Sequence, residues 1–367
     1  MVLEGLPAGL EITVEEIQAE MARRRLGYGR GPRQRFEVDE LTLIGGVRHG
    51  RTLGSPLAIE IKNTEWFRSD KWHEEMSPAP GETKDHHAGP TRPRRPGRHA
   101  EVPTIPCSNG PRRARRRPAS PAAPSPRSCC RTRRRDHLAR HPDGTGQSAL
   151  TRRDPRRPIS SSSTPTMVRC FDEAAGAAMV DETGAAAKEG DSLGGVAEVL
   201  GFNVPVGPVR IVHWDRKLDG MLAQALMSIQ AVMGVEIGDG SKRYRLGSAA
   251  HDPIRWDSDQ QRWLTRLSTL AGGLEGGITN GELAVARAAM KPLATLNRPT
   301  LETVDVVVKE TVSFKERTDV TAVPAMGVVA ETMVALVLAQ EAQRKFGGDS
   351  IGEFVRNAES FRDNMEP

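Results

Sequence analysis

Residues 91–166, in the middle of the chain, lack the apolar side chains that a hydrophobic core requires, and they divide the sequence into two foldable parts. Between Thr91 and Pro158 there are 19 Arg, no Lys, 12 of the 26 Pro and no Phe, Trp or Tyr. No helical or strand periodicity survives there, and so few apolar groups cannot offset the entropy of ordering the backbone. We therefore expect a disordered segment between an N-terminal part (1–90) and a C-terminal part (167–367) of one domain.

The net charge of +5 comes from this Arg-rich segment, which contains only four acidic residues, so the rest of the chain is acidic. Clustered arginines bind nucleic-acid phosphates without sequence preference, which makes an Arg-rich nucleic-acid-binding protein one alternative. The segment has no aromatic side chain to stack on bases and matches no known binding module. The sequence therefore predicts no designed nucleic-acid binding.

Cysteine usage and hydropathy limit the remaining classes of protein. The four cysteines form no CxxC pair and no His/Cys spacing typical of metal sites, which favours free thiols in a reducing compartment and no metal. No run of about 18 apolar residues predicts a membrane span. The first residues show no secretory signal, so we expect a cytoplasmic protein with no membrane partner.

The two foldable parts contain interspersed helices and alternating strands, which predicts an α+β fold. Thr13 and Glu16 have capping-box spacing at the start of a helix over 13–26. The stretch after it, "FEVDELTLIGGVRHGRTLGSPLAIEIKN", alternates like antiparallel strands. Further helices are predicted to end at Gly190, Gly234 and Gly347, the second along the apolar stripe Leu218, Leu222, Leu226, Ile229 and Met233. Strands are predicted in "VLGFNVPVGPV", "LAVARAAMKP" and "TVDVVVKET".

An arginine cluster follows the first predicted helix and is the strongest candidate for anion binding. It consists of Arg23, Arg24, Arg25, Arg30, Arg33 and Arg35. Guanidinium groups bind phosphate and carboxylate through paired N–H donors. The interleaved Gly27, Gly29 and Gly31 would let the backbone approach a ligand closely. The alternative is a solvated basic helix end.

Two glycine-rich loops and one group of charged residues are weaker candidates. The loops "GVEIGDG" and "AGGLEGGITNGE" can present backbone N–H groups to a phosphate or an aromatic ring, although glycines of ordinary turns explain them equally. Lys291, Arg317 and Asp319 lie at strand–loop junctions, where a cation beside a carboxylate can tune proton transfer. A surface ion pair is the alternative for these three.

Taken together, the motifs resemble chorismate synthases. They occur in the family's order: "ARRRLGYGRG", "TLGSPLAIEIKNTEW", "GDSLGG", "SIQAVMGVEIGDG", "GSAAHD", "AGGLEGGITNGE", "RAAMKP" and "RTDVTAVPAMGVVAETMVALVLA". The resemblance covers roughly residues 1–80 and 167–360. It implies a lyase of the shikimate pathway, in aromatic amino acid biosynthesis, that eliminates phosphate from 5-enolpyruvylshikimate-3-phosphate to give chorismate. It also implies a need for reduced FMN without net redox change, a sandwich of two antiparallel sheets with outer helices, and a homotetramer.

The resemblance also implies roles for individual residues. Arg24, Arg30 and Arg33 correspond to substrate-binding arginines, which in bifunctional members also contact NADPH. FMN-contacting positions correspond to Gln230, Ala231, Gly276, Lys291, Pro292, Leu293, Ala294, Thr295 and Arg317. Asp319 matches an aspartate that assists proton removal through a flavin ring nitrogen, and Thr318 stands where the family usually has Ser. His99 is the nearest match to the family's second catalytic histidine, with Arg98 intruding before it.

Two family features have no counterpart in the sequence. The Gly-Glu-Ser-His-Gly motif, which carries a general-acid histidine, is absent ahead of "VLEGLPAG". The Arg-Ala-Ser-Ala-Arg-Glu-Thr helix that contacts FMN is replaced by the Arg-rich segment. GC-rich coding DNA read out of frame yields this Arg, Pro, Ala and Ser composition, so we interpret residues 91–166 as frame-shifted. These departures predict weakened FMN binding and little chorismate formation, with an inactive remnant as a further alternative.

Overall fold

The computed structural model describes residues 1–31, 40–62, 131–138, 167–170, 172–207, 212–240, 246–257, 262–294, 296–298, 302–305, 309–312 and 319–364. Within these ranges the helices are α1 (Val14–Arg25), α2 (Glu173–Glu189), α3 (Leu218–Met227), α4 (Val323–Phe346) and α5 (Ile351–Asp363). The strands are β1 (Val2–Leu3), β2 (Glu40–Gly45), β3 (Val47–Arg48), β4 (Arg51–Thr52), β5 (Leu57–Lys62), β6 (Arg131–Leu138), β7 (Gly195–Phe202), β8 (Val232–Ile237), β9 (Ile254–Asp257), β10 (Arg262–Arg266), β11 (Leu274–Glu275), β12 (Ile278–Thr279), β13 (Ala284–Met290), β14 (Glu302–Asp305) and β15 (Lys309–Val312).

Two larger antiparallel sheets, four two-stranded ones and the helices make up the described part of the chain, which confirms the predicted α+β class. The larger sheet has the strand order β6-β7-β13-β8, and the smaller has the order β1-β5-β2. Alternate residues of β7 and β13, such as Ala197, Val199 and Ala288, are buried in one core together with α3 and α4. The smaller sheet packs its own apolar face on Ile17 and Met21 of α1.

Helix α4 is the central element of the fold. It contacts β6, β7 and β13 of the larger sheet, α3, and α1, which in turn packs on the smaller sheet. Helix α4 therefore connects the larger sheet to α1, and through α1 to the smaller sheet. By length and composition α4 is the one described helix that could cross a membrane, but 67% of its most apolar window is buried inside the fold.

Local signals place the ends of several helices as the sequence predicted. The Thr13 hydroxyl accepts a hydrogen bond from the backbone N–H of Glu16 and caps α1. Helix α2 ends at Gly190, which adopts the left-handed conformation with φ of 73° that glycine tolerates best. Helix α4 ends before Gly347. Each of these ends depends on contacts within a few residues, which is why the sequence reveals them.

The predicted helix ending at Gly234 is wrong over about its last two turns. Helix α3 ends at Met227, and β8 begins at Val232. Ile229 and Met233 continue the helical spacing of the apolar stripe, but the backbone turns at Ala231, which has φ of 66°. Pairing of β8 with β13 determines the conformation here, and tertiary pairing commonly overrides a local helical pattern.

Two further strands differ from the sequence-based expectation. The stretch predicted as one strand, "TVDVVVKET", contributes to β14 and β15, which pair with each other as antiparallel neighbours. Strand β6 lies within residues 91–166, where no regular element was expected. Its eight residues pair with β7 from Arg131 opposite Phe202 to Leu138 opposite Gly195. Strand pairing depends on backbone groups that every non-proline residue carries, so it needs no particular side-chain pattern. The rest of residues 91–166, apart from β6, lies outside the described residues.

Candidate active site

Arg30 and Asp319 form an ion pair beside the N-terminal end of α4. Nη1 of Arg30 lies 2.6 Å from Oδ2 of Asp319, and the side chains are 9% and 20% exposed. The backbone N–H of Gly31 donates a hydrogen bond of 2.7 Å to the other carboxylate oxygen, Oδ1. Both oxygens of Asp319 are thereby fixed by groups almost 290 residues away in the sequence. The arrangement holds a carboxylate and a guanidinium in defined positions within a half-buried site.

The N-terminal end of α4 adds positive potential to this site. The helix begins at Val323, four residues after Asp319. The N–H of Val323 donates a hydrogen bond of 3.3 Å to the Thr321 hydroxyl, and Pro324 has no N–H, so the helix acts here through its macrodipole, which favours negative charge near its N-terminal end. Together with the guanidinium of Arg30, this macrodipole makes the site suited to an anionic ligand that carries phosphate or carboxylate groups.

Gly29, in the 27–31 loop, allows close packing of the backbone against its neighbours. Gly29 has φ of +81°, and a Cβ there would lie 2.8 Å from the methyl groups of Thr183 and Thr321. Its carbonyl accepts a hydrogen bond of 2.8 Å from the N–H of Val320. A side chain at position 29 would therefore push Arg30 away from Asp319. The glycine is needed because α2 and the segment before α4 approach it so closely.

The arginines of the predicted cluster have different roles. Nη2 of Arg23 lies 2.7 Å from Oε2 of Glu331 and ties α1 to α4. Burial by itself lowers the pKa of Arg23, but Glu331 and Glu20 outweigh it and raise the pKa above its ordinary value. Arg24, in the same last turn of α1, is half-buried. Arg23 is thus a structural residue, while Arg24 and Arg30 remain candidates for binding an anion.

The 291–294 loop, which contains four of the predicted FMN contacts, follows β13 directly. Its first backbone N–H, from Lys291, donates a hydrogen bond of 2.9 Å to the carbonyl of Ala231. The structure thereby brings two predicted cofactor segments together, because Gln230 and Ala231 form the turn before β8. Lys291 is exposed, and Gln230 and Ala231 are half-buried. Pro292 and Ala294 are exposed and Leu293 is half-buried.

Gly276 lies apart from this group. It is in the turn of the β11–β12 hairpin, whose Gly277 carbonyl accepts a hydrogen bond of 3.0 Å from Leu218 at the start of α3. Ala231 follows the other end of α3. Because a helix of this length spans about 15 Å, Gly276 and Ala231 lie near opposite ends of α3 within the chain. A Cβ at Gly276 would meet no atom within 4 Å, which leaves its backbone accessible.

The hairpin that carries Gly276 is fixed by an ion pair that the sequence analysis did not identify. Nε and Nη2 of Arg266 donate to the two carboxylate oxygens of Glu275 at 2.6 and 2.7 Å. This hydrogen bonding lowers the pKa of Glu275 below its ordinary value. In the sequence, the one signal that Arg266 supports the loop is its position eight residues before "LEGG".

Several predicted site residues cannot be placed. Arg33, His99, Thr295 and Arg317 lie outside the described residues. Among the residues that the structure does describe, no group of three or more His, Cys, Asp or Glu side chains could hold a metal ion. The sequence analysis also assigned no role to Ser192 of "GDSLGG", whose hydroxyl donates a hydrogen bond of 2.6 Å to the carbonyl of Leu293.

Comparison with known proteins identifies close relatives. The family model described as chorismate synthase matches residues 1–106 and 144–342. The unmatched residues between these two ranges lie inside the predicted 91–166 segment. A chorismate synthase of Saccharopolyspora erythraea is 47% identical, with 98% of this chain and 92% of the relative covered. One of Streptomyces coelicolor is also 47% identical, with 99% and 94% covered. A crystal structure of chorismate synthase superimposes with a TM-score of 0.71 at 29% identity, covering all of this chain and 94% of that one.

Proposed function

The chain belongs to the chorismate synthase family and is a lyase of the shikimate pathway; we propose that Arg24, Arg30 and Asp319 form the substrate end of its active site. The substrate, 5-enolpyruvylshikimate-3-phosphate, carries one phosphate and two carboxylates. The observation that carries the proposal is the Arg30–Asp319 pair beside the N-terminal end of α4. It supplies both the positive charge that a polyanion needs and a carboxylate that can accept a proton.

The reaction breaks the carbon–oxygen bond to phosphate and removes one proton from the ring, which leaves a second ring double bond. Negative charge grows on the departing phosphate, and preorganised positive groups stabilise such charge most effectively in a site that excludes water. We assign this role to Arg30, the N-terminal end of α4 and Arg24. Arg33 is included on the resemblance alone.

Asp319 is the proposed proton acceptor. Its two oxygens are oriented by the Arg30 guanidinium and the Gly31 N–H, which fixes the direction in which the carboxylate faces. A positioned acid or base of this kind contributes about 10²–10⁴-fold in rate. His99 remains a candidate for a second proton-handling residue.

Reduced FMN is the proposed cofactor, and the residues around the 291–294 loop fit it. The exposed ammonium of Lys291 can bind a phosphate, and the small or proline residues of the loop leave backbone groups accessible beside Ala231. Gln230 can donate and accept hydrogen bonds at the edge of a ring system. Gly276, Thr295 and Arg317 complete the set by resemblance. When bound, reduced FMN supplies an electron-rich ring next to the substrate without net oxidation.

The remaining parts of the proposal rest on the resemblance. We propose that the chain assembles as a homotetramer in the cytoplasm. NADPH is a further ligand at the arginines if this member reduces its own flavin.

Turnover tests the proposed function. Incubating the chain anaerobically with 5-enolpyruvylshikimate-3-phosphate and chemically reduced FMN should produce a small amount of chorismate, measured by its absorbance, and one phosphate for each chorismate, because the departures from the family motifs are expected to weaken FMN binding and turnover. Omitting the flavin should abolish both products. An absence of chorismate with reduced flavin present, at protein concentrations equal to the substrate, would contradict the proposal.

A further inference from the structure

Residues Gly190–Gly194, called the 190–194 segment below, contact the 291–294 loop on one side. The hydroxyl of Ser192, a residue only 6% exposed, donates a hydrogen bond of 2.6 Å to the carbonyl of Leu293. A Cβ at Gly194 would lie 2.5 Å from the carbonyl oxygen of Met290 and 2.9 Å from the nitrogen of Pro292. No side chain fits between the two backbones, so the 190–194 segment and the loop are in direct contact.

The same segment also holds the chain that follows the loop. The backbone N–H of Asn297 donates a hydrogen bond of 2.9 Å to the carbonyl of Gly190. Nη2 of Arg298 lies 2.6 Å from Oδ2 of Asp191. The loop is therefore attached to the 190–194 segment both at Leu293 and beyond its end.

The other side of the 190–194 segment contacts the residues next to Asp319. The backbone N–H of Leu193 donates a hydrogen bond of 2.8 Å to the carbonyl of Val320, and Leu193 forms a parallel bridge with Thr321. The 190–194 segment is thus hydrogen-bonded both to the 291–294 loop and to Val320, the residue that follows Asp319.

We propose that the 190–194 segment is a positioning element that fixes the flavin-binding loop relative to Asp319, and that the Ser192 hydroxyl is its main side-chain contact. This inference rests on the proposed function, because it takes the loop as the place where FMN binds. Ser192 acts through Leu293 and is a positioning residue, not a catalytic one. Small misplacements of reacting groups can lower a rate by about 100-fold, which is why such a support matters.

The Ser192→Ala variant of the full chain tests the proposal. Loss of one hydroxyl-to-carbonyl hydrogen bond should loosen the loop, and FMN must then order it on binding. The dissociation constant for FMN, measured by quenching of flavin fluorescence, should rise about two- to tenfold. The dissociation constant for 5-enolpyruvylshikimate-3-phosphate, measured by calorimetry without flavin, should stay within about twofold, because the hydroxyl does not contact Arg30 or Asp319.

Thr332→Val is the matched control. The Thr332 hydroxyl also donates to a backbone carbonyl, that of Val328, and the residue is 5% exposed within α4. This variant removes a buried hydrogen bond of the same kind away from the loop. Because this hydrogen bond lies within one turn of α4, its loss should leave the FMN dissociation constant unchanged. An equal rise of that constant in both variants would reduce the role of Ser192 to general stability and overturn the proposal.

Hydrogen exchange provides a readout that needs no flavin. In Ser192→Ala the amide of Asn297 should exchange at least about fivefold faster than in the unchanged chain, while amides in the middle of α4 keep their rates. Unchanged exchange at Asn297 would overturn the positioning role whether or not FMN binds. If the unchanged chain does not bind FMN but Asn297 exchanges faster in the variant, the proposed function is contradicted. The role of the 190–194 segment in positioning the loop is then still supported.

Discussion

The Arg30–Asp319 pair should be strongly coupled, and a double-mutant cycle can measure this. Replacing Asp319 with Ala removes the carboxylate that lies 2.6 Å from Nη1 of Arg30, a side chain that is only 9% exposed. It also removes the acceptor of the Gly31 N–H. Breaking a buried ion pair by removing one partner costs about 3–5 kcal/mol. Because Asp319 is 20% exposed, we expect the lower end, about 3 kcal/mol.

Arg30→Met removes the charge and keeps most of the side-chain volume. Asp319 then loses the guanidinium at 2.6 Å but keeps the Gly31 N–H and some solvent contact, so we expect a cost of about 2 kcal/mol. Removing both partners should cost about 2 kcal/mol less than the sum of the single changes, since no charge is left unpaired.

Urea denaturation followed by far-UV circular dichroism gives the free energy of unfolding for the four proteins. The comparison needs equal denaturant slopes, because a changed slope reports a change in the unfolded or folded ensemble. A coupling energy below about 0.5 kcal/mol, the scatter expected for independent sites, would refute the claim that this pair organises the site.

Three further predictions concern other parts of the chain. Gly29→Ala should lower the free energy of unfolding by more than about 1 kcal/mol, because alanine is strained at φ of +81°. The control, Gly184→Ala inside α2, should be neutral or stabilising. Thermal unfolding of both variants and the unchanged chain tests this. The hydrogen bond from Arg266 lowers the pKa of Glu275 from 4.5 in the folded state. The ionised Glu275 carboxylate therefore stabilises the fold above pH 4.5, and this stabilisation is lost as the pH falls through the lowered pKa of the folded state. Glu275→Gln should therefore reduce the dependence of the free energy of unfolding on pH at acidic pH. An unchanged pH dependence would contradict a stabilising Arg266–Glu275 ion pair. Sequencing the coding DNA of residues 91–166 should show that shifting the reading frame by one base restores the family's Arg-Ala-Ser-Ala-Arg-Glu-Thr motif, and an intact frame would exclude this interpretation.

Features that depend on nearby residues could be predicted from the sequence. The cap at Thr13 and the stop at Gly190 are local patterns, and the structure contains both. The end of α3 could not be predicted, because Ile229 and Met233 keep a helical spacing that pairing of β8 with β13 overrides. The packing of α1 against α4 could not be predicted either, since an apolar pattern shows that a helix is buried but not what covers it.

The candidate site likewise contains features that the sequence predicts and features that it does not. The resemblance supplied Arg30 and Asp319 as separate site positions, but their contact joins two loops that no local pattern connects. The packing of Gly29 against Thr321 could not be predicted, because a glycine that permits ligand approach and one that permits such packing look identical in sequence. Ser192 had a recognisable motif around it, yet only the structure shows that its hydroxyl contacts Leu293.

The central claim is that Asp319 handles the proton in the elimination, and the most direct test is the turnover of Asp319→Asn. Asparagine keeps the shape and an oxygen acceptor for the Gly31 N–H but cannot take up the proton. With 5-enolpyruvylshikimate-3-phosphate and reduced FMN, chorismate formation should fall about 10²–10⁴-fold. Asp363→Asn, an exposed residue at 73%, should keep the unchanged rate. An Asp319→Asn rate within about threefold of the unchanged chain, with FMN bound equally in both, would contradict the assignment of Asp319 as the proton acceptor.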